Sequence, residues 1–302
     1  MTREDTTERL DGDVAEAIGS LGDRRRLEIL FALAEAERAS GTMWKTLSFT
    51  ELYDAVDLDS TSQFSYHLKR LVGPFLTETA DGYHLTYGGA KIARAIRSGE
   101  YESTSEFEER AVDGVCVFCE SSSLVATLAD EQFHVRCRAC DSTLVTDFFP
   151  RSQSRGRTPA EIVESFGHRI WSSFVQLRGN VCPECYGRVE TCVEALDPDD
   201  AARVRGEATR YSHVSACREC GFVITFPVEV AAAFHPAALG HFWEHGVSLW
   251  GVPIWEFFAF IVSDAIATDV VSTEPVEIRF DITLDGQTLR LEMDETMAIS
   301  VP

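Results

Sequence analysis

Lysine is almost missing from this 302-residue chain: Lys45, Lys69 and Lys91 are the only three, and every other cation is an arginine. With 27 basic against 49 acidic residues, the formal net charge is −22. Carboxylates in excess with so little lysine suit a protein kept hydrated in molar salt, such as the cytoplasm of a salt-accumulating halophile. An acidic protein of a low-salt cell is the alternative, and it leaves the lysine shortage unexplained. The opening residues MTREDTTERLDGD lack an apolar run, which argues against a signal peptide. The most apolar stretch, residues 246–263, is broken by Pro253 and carries Glu256, so a buried helix is expected there rather than a membrane span. No phosphate-cradling glycine loop and no Ser-His-Asp order appears, so an enzyme is not expected. A cytoplasmic protein without a membrane partner is.

What remains is ordinary globular material in an uneven arrangement. Apolar residues make up 45% and charged residues 25%, and the length suits about two domains. Residues 1–12 read as a flexible N-terminus. Residues 13–98 read as helical with a small hairpin. Val14, Ala17, Ile18 and Leu21 mark a first helix, and Leu27, Leu30, Phe31 and Ala34 a second. Ser48-Phe-Thr-Glu51 and Ser60-Thr-Ser-Gln63 have capping-box spacing and open a third and a fourth. Two short strands, 76–79 and 83–86, flank an Asp81-Gly82 turn, and 88–96 closes with a fifth helix. This is the winged-helix order. Residues 99–114, rich in glutamate, read as an acidic linker.

All nine cysteines lie beyond it. Without export signals they point to metal ligands rather than disulfides. Cys116/Cys119 and Cys137/Cys140 are two Cys-x-x-Cys pairs with 17 residues between them, the spacing of a zinc ribbon. Cys182/Cys185 and Cys217/Cys220 repeat the pattern across 31 residues, of which 197–210 read as a polar insertion at a hairpin tip. Four thiolates fill a tetrahedral Zn²⁺ shell, so two structural zinc ions per chain are expected. Cys192 is left over, beside Glu190 and Glu194, and reads as a bystander.

The second half also repeats itself. Phe133–Cys140 is echoed by His213–Cys220, Phe148-Phe-Pro150 by Thr225-Phe-Pro227, and the His168…Trp171 pair by His245…Trp250. The expected domains are therefore residues 115–180, a ribbon plus helix, and residues 181–302, its copy. The copy ends in a hairpin of 276–283 and 288–293 around Asp285-Gly286. The fold class is α+β. Arg151, Arg155 and Arg157 read as a charge-balancing loop. The aromatic group Trp243, Trp250, Trp255, Phe257, Phe258 and Phe260 reads as core, with an effector pocket or dimer face as the alternative.

In the fourth helix Phe64, Leu68 and Leu71 form one apolar stripe, and Ser62, Gln63, Tyr66, Lys69 and Arg70 lie opposite. These are residue types that read base edges and phosphates, so double-stranded DNA is the expected partner. Residues 21–96 resemble the ArsR-type winged-helix regulators. The similarity lies in Leu21–Leu30, in Phe49-Thr-Glu-Leu52, in Ser62–Leu71 as recognition helix and in Gly82-Tyr-His-Leu-Thr86 as wing. The resemblance implies a homodimer through the first and fifth helices and control of transcription at a palindromic operator. Residues 51–56 lack the cysteines with which some members sense metals. The wing tip has Glu78 and Asp81, leaving His84 as its basic candidate. Winged helix followed by zinc ribbon also resembles the archaeal relative of the initiation factor TFIIE, which implies a partner in the basal transcription machinery.

Overall fold

The computed structural model describes residues 12–42, 44–103, 105–196 and 211–302. Both the expected flexible N-terminus and the polar insertion at 197–210 therefore fall largely or wholly outside the described residues. The protein is mixed α+β, with ten helices and four antiparallel sheets among those residues. It divides into two compact units, 1–103 and 104–302.

The first unit runs α1 (Gly12–Ser20), α2 (Arg24–Ser40), α3 (Phe49–Asp54), α4 (Thr61–Leu71), β1 (Leu76–Thr79), β2 (Gly82–Leu85) and α5 (Tyr87–Ser98). Its helix ends follow local chemistry. Asp23 caps α2 by accepting from the Arg25 N–H, and Gly41 ends the helix in the left-handed region. Ser48 and Glu51 form the complete capping box at α3. The second expected box is not formed: the Ser60 hydroxyl pairs with that of Ser62 at 2.7 Å and accepts from no backbone N–H of the first turn of α4. Ile29, Leu30 and Leu33 of α2 are buried with Leu52, Phe64, Leu68, Leu71, Leu76 and Leu85. The expected α2 stripe was rotated: Phe31 is exposed and Leu33 takes the core position, because packing against α4 and α5 sets the helix's phase. The hairpin turn also sits one residue early, at Ala80-Asp81, since Thr79 faces Gly82. Gly82 serves another purpose. Its φ is +130° and a Cβ there would lie 2.2 Å from the Leu47 carbonyl, which bridges to Tyr83.

In the second unit, β3 (Phe107–Ala111), β4 (Leu124–Ala129), β5 (Gln132–Cys137) and β6 (Thr143–Phe148) form one sheet in sequence order. After α6 (Arg151–Ser154) and α7 (Pro159–Arg178) come β7 (Val189–Ala195), β8 (Tyr211–Cys217) and β9 (Val223–Pro227), a second sheet. Then follow α8 (Val228–Ala233), α9 (Pro236–Glu244), a short 3₁₀ turn at Leu249–Gly251 and α10 (Ile254–Val262). The last sheet is β10 (Ile266–Thr273), β11 (Val276–Leu284), β12 (Gln287–Met293) and β13 (Ile299–Ser300).

Two expectations give way to the structure and a third is extended by it. Residues 107–111 are a strand rather than linker: Ala111 pairs with Val125, and Glu109 ion-pairs with Arg136 and Arg138 on the ribbon. The terminal hairpin, with its Asp285-Gly286 turn in place, is the middle of a four-stranded sheet. Most important, the two copies are not separate domains. One core holds Phe133, Phe166, Trp171, Phe174, Phe226, Trp255 and Phe280 together. Phe133 stacks on Phe166 at 4.1 Å, and the Trp171 Nε1–H donates to the Val252 carbonyl at 2.7 Å. The repeat itself extends from each ribbon through Phe149-Pro150 and Phe226-Pro227, whose prolines start α6 and α8. It stops there: His168 is exposed within α7, whereas His245 caps the end of α9.

Candidate metal centres and helix face

Each Cys-x-x-Cys pair closes a knuckle with the same backbone. In all four, the first cysteine's N–H bonds the carbonyl five residues on, and its carbonyl accepts from the N–H four residues on. For Cys116 these partners are Ser121 and Glu120; for Cys217 they are Phe222 and Gly221. The residue after the second cysteine is left-handed each time: Glu120, Asp141, Tyr186 and Gly221. The turn aims backbone donors at sulfur. Ala139 N–H reaches Cys137 Sγ at 3.4 Å, Glu184 N–H reaches Cys182 at 3.4 Å, and Gly187 N–H reaches Cys185 at 3.3 Å. At Gly187 the approach is close, since a Cβ would meet Glu219 Cγ at 2.6 Å.

Strand pairing then brings two knuckles together at one end of each ribbon. Cys116 and Cys140 are 3.7 Å apart at sulfur and Cys119 and Cys137 3.6 Å. In the other ribbon Cys182 and Cys220 are 3.7 Å apart and Cys185 and Cys217 3.5 Å. All four sulfurs of each set lie within 4.8 Å of one another, and among the described residues these are the two donor groups able to hold a metal ion. A tetrahedron of sulfurs each ~2.3 Å from a central ion has edges of about 3.8 Å, whereas a disulfide needs ~2.05 Å. The donor set and spacing therefore fit two four-coordinate metal sites with no position left for a substrate. Burial pushes the Cys116 thiol up to about 12. At Cys140 burial is outweighed by the hydrogen bonds of Ser142, which bring it down to about 6. Binding a divalent cation withdraws the protons that remain.

Residues 113–299 match the family described as a domain of unknown function, DUF7351. The chain belongs to this family. Residues 14–96 match a second domain of unknown function, DUF7347. No curated protein and no solved structure matches the chain. Both cysteine sets lie inside the DUF7351 region.

Other sequence-predicted residues fall as follows. On α4, Phe64, Leu68 and Leu71 are buried together with His67, and Ser62, Gln63, Tyr66, Lys69 and Arg70 are all exposed. Arg70 lies 3.4 Å from Glu16 of α1 and over the Tyr66 ring. His84 is half-buried, with Nδ1 3.2 Å from the Leu85 carbonyl. Beside it the Tyr83 hydroxyl donates to Glu78 at 2.7 Å; burial and that carboxylate push the phenol up to about 12. Cys192 is exposed, its Sγ 3.5 Å from Glu194; burial and then that carboxylate push its thiol up. Arg157 donates to the Gln153 carbonyl at 2.7 Å, so the arginine loop is folded back on α6. Trp255, Phe257 and Phe258 are core, while Trp243 is 73% exposed. No helix of the described residues is long and apolar enough to cross a membrane.

One group went unnoticed in the sequence. His213 Nε2 and Ser215 Oγ lie 2.9 Å apart on β8, and Thr191 Oγ1 is 3.2 Å from the same serine. His213 is 1% exposed and Ser215 0%, with Phe174 and Phe226 against the imidazole. Burial, aided by the Arg178 charge, brings the His213 pKa down to about 4. A Ser–His pair can be a nucleophile and its base, but this one is sealed in the core. Its signal is the i, i+2 spacing on an inward-facing strand.

Proposed function

We propose that the chain is a DNA-binding transcription regulator of the ArsR-like winged-helix type, with two structural Cys₄ zinc ions in a C-terminal sensing or dimerisation unit. The observation that carries the reading is α4. It follows α3 across a short turn, buries one stripe, presents Ser62, Gln63, Tyr66, Lys69 and Arg70 on the other side, and is followed by a two-stranded hairpin. Gln bonds adenine bidentately, Arg and Lys reach guanine or phosphate, and Ser and Tyr bond phosphate. Zinc is the ion favoured by four thiolates at this spacing. The resemblance adds a homodimer on a palindromic duplex.

Residues 1–100 carry 12 basic and 17 acidic residues. In dilute buffer that balance opposes approach to DNA. In molar salt the Debye length is ~3 Å, so close contacts from α4 carry the affinity instead of long-range attraction. The test is enrichment of random duplexes by the zinc-loaded full chain in molar KCl, beside the Gln63→Ala/Lys69→Ala variant. A palindromic motif that the variant does not enrich supports the reading; no motif from the parent protein refutes it.

A second reading is a zinc-ribbon interaction protein of the basal transcription machinery. The hairpin favours it. Glu78 is held by Tyr83, Asp81 is exposed, and His84 faces a carbonyl of its own strand, which suits a protein partner better than a minor groove.

A further inference from the structure

The two cysteine sets share ligands and backbone but not shelter. In the first, Cys116 and Cys137 are buried and Cys119 and Cys140 half-buried; in the second, Cys182 and Cys217 are buried but Cys185 and Cys220 are exposed. The difference arises in the knuckles. Val117 and Phe118 pack against the core beside the first set. Pro183-Glu184 takes their place in the second, with Glu184 exposed, whereas the other knuckle is exposed in both sets, through Arg138-Ala139 and Arg218-Glu219.

We propose that the second set is a peroxide-reactive zinc–thiolate site, in which Cys185 is oxidised to a disulfide with Cys217 and the metal leaves, while the first set keeps its ion. The proposal rests on both sets carrying zinc. A zinc-bound cysteine is a thiolate, and the thiolate is the nucleophile. Cys185 Sγ attacks one oxygen of hydrogen peroxide, the O–O bond breaks, and the departing hydroxide is protonated to water. The resulting sulfenic acid is then attacked by Cys217 Sγ, 3.5 Å away. The S–S bond forms, the S–O bond breaks, and a second hydroxide leaves as water. Two thiolates lose two electrons, and peroxide with two protons becomes two waters. Only Cys182 and Cys220 then remain as ligands, too few to hold Zn²⁺ against solvent. In the first set Cys119 and Cys140 are half-buried rather than exposed, so the sequence starts there more slowly. Cys192 is exposed but belongs to no metal set and faces Glu194, so it serves as an internal control.

The experiment uses the full chain loaded with zinc. Metal content is measured first, then hydrogen peroxide is added and zinc release is followed with 4-(2-pyridylazo)resorcinol, with disulfides mapped by mass spectrometry. One zinc per chain should leave at least ~10-fold faster than the other, as exposure controls thiolate reactivity. The first disulfide should join Cys185 to Cys217, and dithiothreitol with fresh zinc should restore the loaded form. Equal release rates, earlier release from the Cys116 set, or a first disulfide through Cys192 would overturn the proposal. Fewer than two zinc ions before any oxidant overturns the zinc reading beneath it, and that result is read separately.

Discussion

The buried imidazole of His213 makes the stability of the second unit depend on pH in a way that can be worked out. Its pKa is about 4 in the fold against 6.5 for an unperturbed histidine. A proton therefore binds the unfolded chain first as pH falls, and the folded state is penalised. The contribution is fully present above about pH 6.5 and is lost as pH falls through 6.5 towards 4. With 1.36 kcal/mol per pKa unit, the loss between pH 7.5 and pH 5 is ~2 kcal/mol, approaching ~3 by pH 4. His213 is 1% exposed, so solvent screening does not reduce the figure. Urea unfolding in excess zinc, followed by tryptophan fluorescence, reads this unit, because Trp171 and Trp255 are buried within it. Acid also weakens thiolate–metal bonds, so the comparison is with His213→Gln, which keeps a partner for Ser215 but cannot ionise. The parent protein should lose ~2 kcal/mol more than the variant between pH 7.5 and 5. Equal losses in the two proteins would mean that His213 is not held neutral by the fold.

Two further outcomes follow from the architecture. Cys116→Ser with Cys119→Ser should unfold the second unit while the first stays folded, read by hydrogen exchange along the chain. A metal site is worth ~10–16 kcal/mol, comparable to the whole stability of a domain; both ribbons share one core, and the double serine variant has no cross-link in place of the metal, unlike a second set closed by a Cys185–Cys217 disulfide. Uniform loss of protection over both units would contradict the division at 103/104. Gly82→Ala places a methyl 2.2 Å from the Leu47 carbonyl at a φ of +130°. It should cost the first unit more than ~2 kcal/mol, a fall in Tm on the order of 10 °C, with the second unit's transition unmoved. An unchanged first transition would mean that the Leu47–Tyr83 bridge is dispensable.

What could be read from the sequence was whatever local chemistry decides. The Cys-x-x-Cys pairs assemble as expected because each knuckle is fixed by its own six-residue turn and by the adjoining strand pairing. The helix start at Ser48 is likewise set locally, by the capping box it forms with Glu51. Features set by distant partners were not legible. Residues 107–111 look like acidic linker because Glu108, Glu109 and Arg110 are exposed; only the pairing with Val125 and Ala126 and the ion pairs of Glu109 make them a strand. Strand β10 alternates weakly, with Ile266 its one buried residue, so its place in the last sheet comes from β11. The joining of the two ribbons depends on aromatic contacts such as Phe166 with Trp255, far apart in the chain. The exposed face of α4 is legible from its 3.6-residue period.

The most direct measurement is genome-wide occupancy of the tagged protein in cells at their own salt concentration, beside the Gln63→Ala/Lys69→Ala variant. A sequence-specific regulator gives a small number of sharp peaks that share a palindrome and disappear in the variant. Occupancy spread over most active promoters and indifferent to both substitutions would contradict it and favour the basal-machinery reading.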